Sequence, residues 1–362
     1  MRVSVLCFIA SVAFLGAVAL ESFAQTQQTQ SKPIPVATQK LKVVSRIDTP
    51  RDFAQNIVGF PTCDADGNVY FSTAYDANSA IRKFNLNGEE VALFRTGSIT
   101  DLKVDFPWNF DVSADGYVYQ ILYLQNTGKR YVAVFEKDGS YKSSVRLDAG
   151  YEITTVSQAA PFPSGQLIVT GLTTHGDPTT TVKTPFTGIF AANGVLLKEI
   201  SLSDDKAIHD MAANGDPRVV DKPGAGTNSA IERGALSVGP DGNAYIMRRL
   251  SPAIIYVVSA GGEVIRRFTV TAGEGKENYM PADMHVSPRG IAVLFHESLT
   301  NNQVIKVVDL EGHHLASYED ERVGGKLSLG ISFACYLDSP ERFVFLGQSD
   351  DRKLQFRIAE PQ

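Results

Sequence analysis

Turn dipeptides recur along this chain at a nearly constant interval: Asp66-Gly67, Asp115-Gly116, Ser164-Gly165, Asp241-Gly242, Arg289-Gly290 and Asp338-Ser339. Successive turns lie 49, 49, 77, 48 and 49 residues apart, so one interval alone departs from the period. Self-similarity at a period of about 20–50 residues marks repeat architectures, in which each unit is one supersecondary element that buries its apolar face against its neighbours.

Each unit has the same internal order. An apolar run such as Trp108-Asn109-Phe110-Asp111-Val112 precedes the first turn, and a β-branched and aromatic run such as Asn68-Val69-Tyr70-Phe71 follows it. A third run, such as Tyr131-Val132-Ala133-Val134-Phe135, ends in a second turn: Asn87-Gly88, Asp138-Gly139, Asn193-Gly194, Gly261-Gly262 or Glu311-Gly312. Asn-Gly, Asp-Gly and Gly-Gly suit the positive φ angles of two-residue hairpins. A fourth run such as Glu263-Val264-Ile265-Arg266-Arg267-Phe268 completes the unit. Four short antiparallel strands per unit, repeated around an axis, is the pattern of a β-propeller. No long 3.6-residue apolar period is present, so little helix is expected.

The chain ends give an independent argument. The last unit stops after Leu354-Gln355-Phe356-Arg357-Ile358, one strand short, while Leu41 to Asp48 precedes the first unit without a turn partner. Pairing the surplus strand with the deficient unit would close a ring and remove two exposed sheet edges. The expected fold is therefore all-β: a six-bladed β-propeller of four-stranded antiparallel blades, the last closed by the N-terminal strand. The domain spans residues 41–362.

On this strand rhythm and these DG and NG turns, the chain from Leu41 to Pro361 resembles the NHL-repeat, TolB-like and gluconolactonase-like propellers. Kelch double glycines and WD dipeptides are not repeated. Gluconolactonase-like enzymes hold an axial divalent metal through a carboxylate, asparagines and an aspartate. The resemblance implies that Asn109, Glu232 and Asp283 would supply part of such a set, whereas Phe60 and Ala235 stand at comparable positions and depart from it.

Upstream of the domain, Arg2 precedes an apolar run from Val3 to Leu20, and Ser22-Phe23-Ala24 follows. This reads as a signal peptide over residues 1–24, then a flexible leader over 25–40 rich in Gln, Thr, Ser and Pro. A secreted or periplasmic protein without a membrane span after processing is expected. The net charge of -6, without a basic tract, gives no nucleic-acid footprint. Cys63 and Cys335 remain after processing. They fall in the first and last units, and they are expected as two buried free thiols. Inner strands of adjacent blades diverge, and a bridge needs Cα atoms within about 7 Å.

In such a ring the tight turns share one face and the variable loops the other, where binding residues concentrate. Both insertions, Thr173 to Pro185 with His175 and Ser203 to Asn228, fall on the variable face. Counting seven residues back from each first turn gives Phe60, Asn109, Gln158, Ala235, Asp283 and Ser332 as the ring lining the central channel. The candidate binding residues are Trp108, Asn109, Gln158, Glu232, Arg233, Asp283 and His285. Trp108, the one tryptophan of the chain, offers either a flat stacking surface or packing of the inner wall. Arg233 and Asp283 are expected to pair across the channel.

No catalytic residue, metal ligand or cofactor is assigned. The histidines lack ligand spacing, no G-x-S-x-G elbow occurs, and Ala272-Gly273-Glu274-Gly275-Lys276 opens no helix. The expected function is binding of a carbohydrate, peptide or protein partner at the cell envelope by a monomer. A metal-dependent hydrolase or lactonase in the channel mouth is the alternative.

Overall fold

A computed structural model describes residues 37–52, 58–72, 79–124, 127–173, 183–219, 228–297, 300, 302–320, 322–323, 326–327, 329–330 and 332–362. The segments 1–24 and 25–36, and the stretch 174–182 that carries His175, lie outside them.

The repeat folds as consecutive four-stranded antiparallel meanders. The first sheet comprises Val58–Cys63, Val69–Ser72, Ala80–Phe84 and Glu90–Arg95. The second comprises Val104–Val112, Val118–Leu124, Arg130–Phe135 and Tyr141–Arg146. Thr155–Pro161, Leu167–Thr173, Thr184–Phe190 and Leu196–Glu199 form the third. Ala235–Val238, Ala244–Arg248, Ala253–Val258 and Val264–Val270 form the fourth. The remaining repeats merge into one eight-stranded sheet. One half runs through Tyr279–Val286, Ile291–Glu297, Gln303–Val308 and His314–Asp320. The closing half contains Ser332–Asp338, Glu341–Gln348, Lys353–Pro361 and the N-terminal strand Thr38–Asp52.

The N-terminal strand joins these halves. Leu41 to Asp48 runs antiparallel to Gln355–Pro361, while Thr38–Leu41 pairs in parallel with Ser317–Asp320. The parallel pairing was not expected, and it is what fuses two meanders into one sheet. The strand begins at Thr38, inside the stretch read from sequence as leader.

The first strands of the meanders neighbour one another in a cycle. Val58–Cys63 lies beside Val104–Val112, then Thr155–Pro161, Ala235–Val238, Tyr279–Val286 and Ser332–Asp338 follow, and the last returns to the first. The arrangement is propeller-like, and apolar clusters fill the spaces between sheets. Val69, Phe71 and Phe84 of the first sheet pack with Cys335, Val344, Leu346 and Phe356 of the closing half. Phe84 and Phe356 meet edge to face at 5.7 Å. Each such buried aromatic contributes about 2–3 kcal/mol by area.

The second-turn glycines show why the repeat needs them. Gly194 has φ +86°, and a Cβ there would lie 1.9 Å from Arg146 O on the outer strand of the preceding sheet. Gly88 of the first sheet makes the same approach to the N-terminal strand, with Ile47 Cγ2 2.7 Å from the Cβ position. The N-terminal strand thus occupies the place that an outer strand holds elsewhere in the cycle.

Cys63 and Cys335 are joined as a disulfide with Cα atoms 5.4 Å apart, which corrects the expectation of free thiols. The two positions sit where the first strands of the first sheet and the closing half still lie side by side, before divergence separates them.

Part of the second insertion also differs from a solvated loop. It forms helix α1, Asp205–Ala213, and a short helix α2, Ser229–Glu232. Ile208, Val219, Ala230 and Ile231 pack with Leu172 in a core of their own. Arg248, 1% exposed, grips Asp205 with hydrogen bonds of 2.9 and 2.8 Å and donates to Thr187 Oγ1 at 3.2 Å. Among the described residues, no helix is long and apolar enough to cross a membrane.

Candidate functional site

Two cavities lie end to end where the first strands converge. The outer one, of about 460 Å³, is lined by Phe60, Trp108, Asn109, Glu232, Arg233, Arg249, Asp283 and Phe333 among others. The inner one, of about 40 Å³, is lined by Phe60, Asn109, Asp111, Gln158, Asp283 and His285 among others. Residues common to both fix the order of depth: Trp108, Glu232 and Arg233 at the mouth, Phe60, Asn109 and Asp283 at the neck, and Asp111, Gln158 and His285 below.

All seven residues proposed from sequence line one or the other cavity. The geometry rests on an irregularity that recurs in the first strands. Register shifts fall between Val58 and Thr62, Pro107 and Phe110, Val156 and Gln158, Pro281 and Asp283, and Phe333 and Cys335. A bulge adds a residue and re-aims side chains, here beside Phe60, Asn109, Gln158 and Asp283.

Side chains around the channel tie the second, third, fourth and fifth repeats each to the backbone of the next. Asn109 Nδ2 donates to Ser157 O at 2.9 Å, and Gln158 Nε2 donates to Gly234 O at 2.5 Å. Arg249 Nε donates to Pro281 O at 2.7 Å. His285 Nε2 lies 3.2 Å from Phe333 O, and since a carbonyl only accepts, Nε2 carries the proton. The His285 ring stands edge-on to Phe333 at 4.4 Å between centroids.

Trp108 packs in the inner wall and also lines the mouth. It meets Phe106 at 6.3 Å and Tyr123 at 6.4 Å, edge to face, while still lining the mouth. Tyr123 is in turn stacked on Phe106 at 4.6 Å and covered by the Arg130 guanidinium at 4.3 Å. Burial raises the Tyr123 hydroxyl pKa, and the neighbouring Glu232 carboxylate pushes the same way while Arg130 opposes it.

The expected Arg233–Asp283 pair does not form. Asp283 accepts from the backbone of Met284 at 2.8 Å, and its ionic neighbour among the described residues is His285, 3.7 Å away. Asp111, like Arg249 and Phe333, is a site residue that counting from the turns missed. It stands two positions beyond Asn109, so strand alternation could have found it. Burial raises its carboxyl from 3.8 to about 7, against smaller opposing pulls from the Val112 backbone N–H and from His285. Asp111 keeps some water contact through the narrow channel, but the protein enclosing it dominates.

Among the described residues, no three of His, Cys, Asp and Glu come together as a metal site. Asn109, Glu232 and Asp283 line one mouth but do not form the oxygen-rich cage that a hard divalent cation requires. His313 and His314 are exposed. The arrangement offers hydrogen-bond acceptors, carboxylates and flat rings, a set suited to holding a ligand.

No family model matches the sequence, and no curated protein matches it significantly. Among solved structures, the chain is similar to a protein of unknown function from Bacteroides caccae, at 13% identity over 78% of this chain and 94% of that one, TM-score 0.46. It is similar to the PQQ-bound aldose sugar dehydrogenase of Streptomyces coelicolor, at 9% identity over 91% and 100%, TM-score 0.47. It is similar also to YCF48 bound to D1 peptide, at 11% identity over 90% and 97%, TM-score 0.46.

Proposed function

We propose that this chain is an exported, six-bladed β-propeller that binds a carbohydrate, peptide or protein segment in the mouth of its channel. In this reading the eight-stranded sheet counts as two blades bridged by the N-terminal strand. The cycle of first strands and the repeated glycine approaches support that count. The disulfide supports export, since such bonds persist in oxidising compartments.

The observation that carries the binding reading is the convergence of Trp108, Asn109, Glu232, Arg233 and Asp283 on one concave cavity of about 460 Å³. Pockets of this size that mix aromatic walls with a few polar groups are where small ligands and inserted side chains bind. The helices of the second insertion support Glu232 and Arg233 at the rim, on the variable-loop face. A hydrolase reading gains nothing from the geometry, because the residues do not fit the metal it needs.

Thermal unfolding of residues 25–362 against glycan and peptide panels tests the proposal. A ligand at about 100 times its dissociation constant adds about 2.7 kcal/mol to the folded state. The stabilisation should disappear in Asn109→Ala. A hit that stabilises both proteins equally binds elsewhere and overturns the mouth assignment.

A further inference from the structure

We propose that the neck of the channel receives an organic ammonium group, held between Asn109 and Asp283, while the body of the ligand lies against Phe60, Trp108 and Phe333. This rests on the mouth being the binding site and names the ligand class it selects.

The carboxylates of the channel differ from other sheltered acids of the protein. Asp205 is paired with Arg248 at 2.8 Å, Asp64 with Lys83 at 3.1 Å and Glu90 with Arg82 at 2.7 Å. Asp283, 7% exposed, and Asp111 below it have no lysine or arginine partner among the described residues. A sheltered carboxylate without a cation is costly, and a bound cation offsets the cost. Asn109 adds a neutral acceptor. Its amide nitrogen is committed to Ser157 O, and no described residue donates to its Oδ1.

The choice among cations follows from coordination. Calcium takes six to eight oxygens, and among the described residues no three of His, Cys, Asp and Glu come together here. An ammonium needs about three acceptors and is attracted to an aromatic face nearby. Size sets the depth of entry. The inner cavity of about 40 Å³ has room for only a few water-sized groups, against about 460 Å³ in the mouth, so a small head enters the neck while the body stays in the mouth.

The test compares 2-phenylethylamine, 2-phenylethanol and phenylacetate, followed by Trp108 emission. The amine should give a saturable change with an affinity at least about tenfold above that of the alcohol, and phenylacetate should give none up to about 10 mM. Asp283→Asn should remove the tenfold preference while its thermal midpoint and circular dichroism show it folded. Asp111→Asn, one layer deeper, serves as the second variant and should lower amine affinity by about two- to threefold. Equal affinities for amine and alcohol, a preference retained in folded Asp283→Asn, or no amine binding overturns the ammonium inference and leaves the mouth reading standing. Glycan or peptide hits that bind without altering Trp108 emission overturn the mouth reading itself.

Discussion

Cys63 and Cys335, 272 residues apart in sequence, are bonded across the junction between the first strands of the first sheet and the closing half. The bond stands beside a second closure, in which Leu41 to Asp48 completes the closing half. Both join the beginning of the domain to its end.

The crosslink restrains nearly the whole domain in the unfolded state. Loop-closure entropy for such a length is on the order of 5 kcal/mol, and measured losses run about 2–5 kcal/mol. Cys63→Ser/Cys335→Ser should shift urea unfolding by that amount, and reductant should shift the wild type equally while leaving the double variant unchanged. Coincident midpoints with and without reductant would show that the bond does not restrain the chain.

Asp111 makes stability depend on pH. Its folded-state pKa of about 7 exceeds the ordinary 3.8 of the unfolded chain. The stabilising contribution is therefore complete below about pH 4, is lost as pH rises to about 7, and changes no further above that. His285 and Asp283 line the same cavity. Asp111→Asn should equal wild type near pH 4 and become more stable by about 1–3 kcal/mol above pH 7, the full shift being discounted for water in the channel. Denaturation at the two pH values checks this; a difference largest at low pH would contradict it.

Arg248→Met should cost about 3–5 kcal/mol, because it leaves Asp205 sheltered without its cation. Since the pair fastens α1 to the third and fourth sheets, amide exchange should rise first across Asp205–Ala213. Uniform exchange over the domain would deny α1 its separate anchorage.

Two glycines separate strain from contact. Gly215→Ala, at φ +69° with open space around it, should cost about 1–2 kcal/mol from the left-handed backbone alone. Gly194→Ala adds the clash with Arg146 O, so its loss in chemical denaturation should be clearly larger. Equal losses would mean the sheets part without cost at that contact.

Much of the strand order was legible because turn chemistry repeats and because alternation shows which positions point inward. Counting back from the turns reached Phe60, Asn109, Gln158, Ala235, Asp283 and Ser332, all of which line the channel. The count succeeds although five of the first strands carry register shifts, since those shifts recur at similar heights. What stayed hidden depends on distances between units. The Cys63–Cys335 bond depends on how far the first strands diverge, which no single repeat records. The missing Arg233–Asp283 pair depends on depth along the axis, and spacing along the chain gives none of that. Helix α1 was illegible because its apolar contribution rests on Ile208, while its docking depends on Arg248, 43 residues from Asp205.

Trp108 is the one tryptophan of the chain and lines the mouth, so its emission reports on the proposed site without added labels. Titration of a ligand identified by thermal shift is the most direct measurement. Binding in the mouth predicts a saturable change in Trp108 emission whose midpoint matches the calorimetric dissociation constant and which Asn109→Ala abolishes. Calorimetric saturation with unchanged Trp108 emission would place the ligand elsewhere and contradict the account.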